Sequence, residues 1–120
     1  MLSEQRMQRN RKWLEEERAR LESELNRMGA AMDERERPGY GTHMADNATE
    51  VFEQAKNLAV TQRLRHTLSL IKKALEKMDK GTYGICEQCG EAIDPARLKA
   101  LPYATLCMSC QARAELRSSR

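Results

Sequence analysis

The stretch Gly84-Ile85-Cys86-Glu87-Gln88-Cys89-Gly90, answered downstream by Leu106-Cys107-Met108-Ser109-Cys110, contains all four cysteines of a 120-residue chain. Their spacing is C-x2-C-x17-C-x2-C, within the range of four-cysteine zinc sites. Two residues between cysteines let one tight turn aim both sulfurs at a single metal, and Gly84 and Gly90 are the small neighbours such a turn needs. Cys86, Cys89, Cys107 and Cys110 are therefore expected to hold one structural Zn2+, because four thiolates leave no coordination position open. An iron centre of rubredoxin or cluster type uses the same ligands and stays open on spacing alone. Haem attachment would need His after the second cysteine of a pair, where Gly90 and Gln111 stand. A thioredoxin-type redox pair would need a strand-helix-strand context that the surrounding sequence lacks. Two disulfides are disfavoured because the N-terminus, Met1 to Lys12, is polar and basic with no apolar stretch behind it. A cytoplasmic location is expected on the same ground.

Between the cysteine pairs, Asp94 followed by Pro95 predicts an N-cap and first helical residue, and Pro102 predicts the stop. Cys107 to Arg117 can form a last helix, with Ala112 and Leu116 expected to pack against the Trp13 side of the first helix. This segment of about 40 residues carries few large apolar side chains, so metal binding is expected to supply most of its folding free energy.

Upstream the chemistry changes. From Ser3 to Met32 the chain is Glu, Arg, Leu, Met and Ala with a single Gly29 and no proline, which predicts helix. Met7, Leu14, Leu21 and Met28 recur every seven residues, with Leu25 and Met32 in the intervening seam position and Arg11 and Arg18 occupying it earlier. Residues 33–45 break the pattern with Pro38, Gly39 and Gly41. Asn47 with Glu50 resembles a capping box and Asp46 suits a helix N-terminus, so a second helix is expected over 46–79. Its apolar residues Val51, Ala55, Leu58, Leu64, Leu68, Ile71, Leu75 and Met78 are spaced by three or four, apart from polar Thr61 and Gln62 in the middle. Two such helices joined at a tip predict an antiparallel coiled-coil hairpin over residues 1–80, each stripe forming the other's core, with the zinc finger and C-terminal helix over 81–120. The second helix would be roughly 50 Å long. The architecture is mainly α, and an intramolecular hairpin predicts a monomer.

Composition narrows the function. The chain is 40% apolar and 32% charged, with one Trp, three Tyr and one Phe, which suits long helices better than a compact core. No run of 18 apolar residues could span a membrane. Net charge is +3, and residues 1–37 hold nine charges of each sign, so no block is polybasic. Sequence-specific DNA binding through phosphate neutralisation is not expected, and a protein partner is. No enzyme is expected either, since a closed four-thiolate site activates no water and no nucleophile pairs with His43 or His66.

The residues from Gly84 to Ile93, then Ala96-Arg97-Leu98-Lys99-Ala100-Leu101-Pro102 and Leu106 to Gln111, resemble the zinc-finger signature of the DksA/TraR family, and the resemblance extends back to residue 43. It implies a cytoplasmic factor that binds RNA polymerase directly, passes its coiled coil through the secondary channel and modulates initiation. The family's tip motif is D-x-x-D-x-A, and the matching stretch here is His43-Met44-Ala45-Asp46-Asn47-Ala48. Asp46 and Ala48 match, whereas His43 replaces the first carboxylate with an imidazole that cannot act as one beside a magnesium-bound centre. Arg63 keeps the basic residue that the family uses to contact the polymerase rim. The basic positions through which some members respond to ppGpp fall on Leu70, Leu101 and Gln111, none of which can neutralise a phosphate, so no such response is expected. The alternative function is a zinc-stabilised coiled-coil adaptor that binds another protein without tip activity.

Overall fold

The computed structural model describes residues 2–35 and 44–118, with side chains at 2–29 and 48–118. The fold is mainly α, in the order α1 (Glu4–Arg35), α2 (Met44–Lys80), α3 (Pro95–Ala100) and α4 (Met108–Ser118). Among the described residues the only β pairing is an isolated antiparallel bridge between Ile85 and Ala92. Among the described residues no helix is long and apolar enough to cross a membrane.

Ser3 starts α1: its Oγ accepts from the Arg6 amide at 3.3 Å and its carbonyl accepts from the Met7 amide at 2.9 Å. These contacts occupy N–H groups that have no partner within the helix. The helix runs three residues past the expected Met32, because Asp33, Glu34 and Arg35 carry no breaker and the first proline is Pro38. Helix α2 begins at Met44, so Asp46 and Asn47 occupy its first turn instead of preceding it. The expected Asn47 to Glu50 capping box is therefore not how α2 starts; nothing after Gly41 forbids helix, and an acidic residue is favoured anywhere in the first turn by the helix dipole. His43 lies outside the described residues.

By internal packing the chain falls into two units. The first comprises Met1–Arg18 and Ser69–Arg120. Here the start of α1 runs antiparallel to the end of α2, with Arg11 Nη1 donating to Asp79 Oδ1 at 3.2 Å. Leu14, Ile71, Leu75, Ile93 and Leu98 are buried in this unit, together with Cys86 and Cys110. The Trp13 ring stacks on Tyr103 with centroids 6.2 Å apart and planes 23° apart. The burial expected for Ala112 and Leu116 beside Trp13 is not found: Ala112 is exposed and Leu116 is 67% exposed. Helix α4 turns Cys110 inward, and at 100° per residue Ala112 and Leu116 project from the far side.

The second unit comprises Ala19–Leu68. Leu21 and Leu68 are buried, and so is Thr61, whose Oγ1 lies 3.9 Å from Met28 Sδ. The α2 stripe departs from expectation in this unit, since Val51 is 64% and Leu58 49% exposed and Ala55 is exposed too. The reason is one of phase. The buried register passes back from Met78 through Leu75, Ile71, Leu68, Leu64 and Thr61 to Asn57 and Glu50, with Leu64, Asn57 and Glu50 half-buried. The six-residue gap from Leu64 to Leu58 shifts the apolar series off that line onto the neighbouring face, and polar Thr61 takes the seam position.

Candidate metal centre

The first cysteine pair is prepared by the end of α2. The Gly81 amide donates to the Met78 carbonyl at 3.3 Å and the Thr82 amide to the Lys77 carbonyl at 2.9 Å, with Gly81 at φ +77°. This is a Schellman closure, which needs a left-handed residue just past the helix. The chain then folds on itself: the Ile93 amide donates to the Gly84 carbonyl at 2.7 Å, and the Cys86 amide to the Glu91 carbonyl at 2.8 Å. Between these bonds the Gly90 amide donates to the Cys86 carbonyl at 3.0 Å, with Gly90 at φ +76°. Cys86 and Cys89 are thereby presented from one tight turn.

The second pair is set by α3 and α4. Asp94 caps α3, its Oδ1 accepting from the Ala96 amide at 2.9 Å, and Pro95 takes the first helical position. From the same helix Arg97 Nε donates to the Leu106 carbonyl at 2.9 Å, fixing the residue before Cys107. The Gln111 amide donates to the Cys107 carbonyl at 2.9 Å, so Cys107 stands at the start of α4 and Cys110 in its first turn. The Glu87 amide donates to the Thr105 carbonyl at 2.9 Å and joins the two turns directly. Lys77 pairs with Glu87, which ties the end of α2 to the first turn.

All four sulfurs lie within 4.8 Å of one another, and Cys89 Sγ is 3.8 Å from Cys107 Sγ. Sulfurs about 2.3 Å from a tetrahedral zinc are about 3.8 Å apart, so the arrangement fits that ion. Cys86 and Cys110 are each 2% exposed, Cys107 is half-buried and Cys89 faces solvent. Before any metal charge is counted, backbone N–H groups, first that of Cys89, bring the Cys86 thiol down to about 6. Burial pushes the Cys110 thiol up to about 12. Cys86 is thus a ready thiolate, whereas Cys110 needs the cation's charge to release its proton. Arg113 supports that sulfur, its Nη2 donating to Cys110 Sγ at 3.7 Å.

Residues 81–116 match the family model of the prokaryotic dksA/traR C4-type zinc finger. Beyond the finger, 98% of this chain superposes on 89% of transcription factor DksA2 from Pseudomonas aeruginosa, with a TM-score of 0.81 and 30% identity. The chain belongs to the DksA/TraR family. The metal centre is accordingly the family's C4 finger, built for one structural zinc. General stress protein 16O of Bacillus subtilis (strain 168) is 40% identical over 77 residues, which are 64% of this chain and 47% of that protein. The RNA polymerase-binding transcription factor DksA of Caulobacter vibrioides is 40% identical over 74 residues, 62% of this chain and 52% of that one. The chain spans about half the length of these curated relatives.

Among the sequence-predicted residues of this DksA/TraR chain, the four cysteines come together. Ala48 and Arg63 belong to the second unit, both exposed on α2, and Asp46 lies in the first turn of α2 with its side chain outside the described residues. Leu70 and Leu101 are half-buried, and Gln111 Nε2 donates to Glu115 Oε1 at 3.2 Å. The supporting residues Asn10, Tyr83, Arg97 and Arg113 escape sequence reasoning. Only Asn10 leaves a signal, sitting in the seam three residues after Met7 and four before Leu14.

Proposed function

We propose that this protein is a transcription regulator that binds RNA polymerase directly, presenting the segment around residue 46 through the secondary channel to modulate initiation. The reading is supported above all by the likeness to Pseudomonas aeruginosa DksA2, which runs along 98% of this chain at 30% identity. Residues 1–80 supply the inserted coiled coil, and residues 81–120 supply the zinc-held part. Asp46 and Ala48 act at the tip, and Arg63 contacts the polymerase rim. The protein works as a cytoplasmic monomer, without catalysis and without sequence-specific DNA binding. With an imidazole at His43 in place of the first tip carboxylate, its effect on initiation rests on the single carboxylate of Asp46. With Leu70, Leu101 and Gln111 at the nucleotide-responsive positions, ppGpp does not alter that effect.

The test is initiation from purified polymerase of the same organism, with the wild-type chain and with Asp46→Asn. The reading expects binding that a known secondary-channel ligand displaces, and an Asp46→Asn variant that still binds but no longer alters promoter-complex lifetime. Failure to bind at micromolar concentration would favour the adaptor reading.

A further inference from the structure

The start of α1 and helix α3 enclose a recess of about 420 Å³ that the polymerase reading does not use. Its walls are mostly carbon, from Leu2, Pro95 and Ala96, and Arg6, Arg9 and Lys99 also line it. Among the described residues none of these three cations is in an ion pair. Asp94 lies at the same recess, but its carboxylate is engaged in capping α3 through the Ala96 amide at 2.9 Å. Three cations against one carboxylate leave an excess of positive charge at the rim of an apolar recess, which attracts an anion.

Asn10 is a second, independent pointer. It is 8% exposed and lines the recess. Its Nδ2 spends both protons inside the protein, on Tyr83 Oη at 2.9 Å and the Leu98 carbonyl at 3.3 Å. Because the Leu98 carbonyl can only accept, the orientation of the amide is settled, and no donor among the described residues reaches Asn10 Oδ1. No fully buried side-chain oxygen or nitrogen among the described residues lacks a partner, so Oδ1 keeps some access from the recess, where it can accept a hydrogen bond.

We propose that this recess binds a small organic anion: an apolar body against Leu2, Pro95 and Ala96, an acidic group among Arg6, Arg9 and Lys99, and an N–H or O–H donated to Asn10 Oδ1. A mostly apolar cavity of several hundred Å³ with a few fixed polar groups is the usual form of a small-molecule site.

The test uses the zinc-loaded full chain, isotope-labelled for NMR, titrated with indole-3-acetate, which carries an apolar ring, a carboxylate and one N–H. Shift changes are expected at Arg9, Asn10, Ala96 and Lys99, with a Kd on the order of 1 mM for so small a probe. Indole-3-acetamide, nearly the same shape without the charge, should bind at least about fivefold more weakly, and Arg9→Gln and Lys99→Gln should each weaken the acetate by about threefold or more. These two side chains lie at the surface, so their exchange leaves the fold intact. Absence of shifts at ten times that concentration would overturn the proposal. So would equal binding of the amide, or shifts that centre elsewhere and ignore both substitutions.

Discussion

Asn10 in α1 and Tyr83 beyond the end of α2 stand 73 residues apart in the chain and share a buried hydrogen bond of 2.9 Å. The tyrosine passes it on, donating from Oη to the Pro102 carbonyl at 2.7 Å, while Asn10 also reaches the Leu98 carbonyl. One amide and one phenol thereby join α1 to Leu98 in α3 and to Pro102 just beyond it, both within the segment that separates the two cysteine pairs.

Removing either member strands a buried carbonyl. Asn10→Ala leaves Leu98 without its donor, and Tyr83→Phe leaves Pro102 without its own, so each should cost about 1–3 kcal/mol. Denaturant unfolding of the zinc-loaded protein measures this, and a loss below about 0.5 kcal/mol in both variants would show that the network contributes nothing net.

Burial raises the Tyr83 pKa above its ordinary value, only partly offset by the hydrogen bond from Asn10. The folded state therefore holds the phenolic proton more tightly than the unfolded chain does. The stability this contributes is complete below the ordinary tyrosine pKa near 10 and falls as pH climbs through the higher folded value. Ultraviolet titration of the folded protein should show a tyrosine ionising above the ordinary value near 10, and Tyr83→Phe should remove that step.

Stripping the zinc should melt the finger and spare most of α1 and α2. Helices α3 and α4 together hold only 17 residues, 6 and 11, whereas zinc binding to such sites supplies about 10–16 kcal/mol. A strong chelator should remove a small fraction of the helical circular dichroism. It should also change the fluorescence of Trp13, the one tryptophan, as its stack on Tyr103 is lost. An unchanged tryptophan signal after complete zinc removal would contradict this account.

The two glycines flanking the first cysteine pair should respond differently to alanine. Gly90 is at φ +76° with open space where a methyl would stand, so Gly90→Ala carries only the left-handed backbone cost of about 1 kcal/mol. At Gly84, φ +84°, a methyl would also sit 3.3 Å from Leu98 Cδ1 and 3.4 Å from Leu2 Cδ1. Gly84→Ala should thus be the more destabilising by about 1 kcal/mol or more, compared by thermal unfolding with zinc in excess.

The α2 register predicts an asymmetry between two leucines of the same helix. Leu68 is 8% exposed and Leu58 is 49% exposed. Truncation of Leu68 to alanine should cost about 2–5 kcal/mol, and truncation of Leu58 about 1 kcal/mol or less. Equal losses would mean that the seam follows the apolar spacing after all.

What the amino-acid sequence determined by itself is what depends on neighbours in the chain. The paired cysteines, the glycines beside them and the Asp94-Pro95 cap act over a few residues, so the metal centre and α3 were legible before any packing was known. The two long helices were legible for the same reason, as helix propensity is summed locally, although their exact ends were not. Tertiary structure decided what depends on facing surfaces. Spacing alone put Val51, Ala55 and Leu58 in the core, but burial follows the line that meets the partner helix, and that line runs through Thr61 and Asn57. The Asn10 to Tyr83 bond and the hold of Arg97 on the Leu106 carbonyl belong to the same class. A hydrogen bond needs its donor and acceptor within about 3 Å, and for residues far apart in the chain only the folded backbone brings them there.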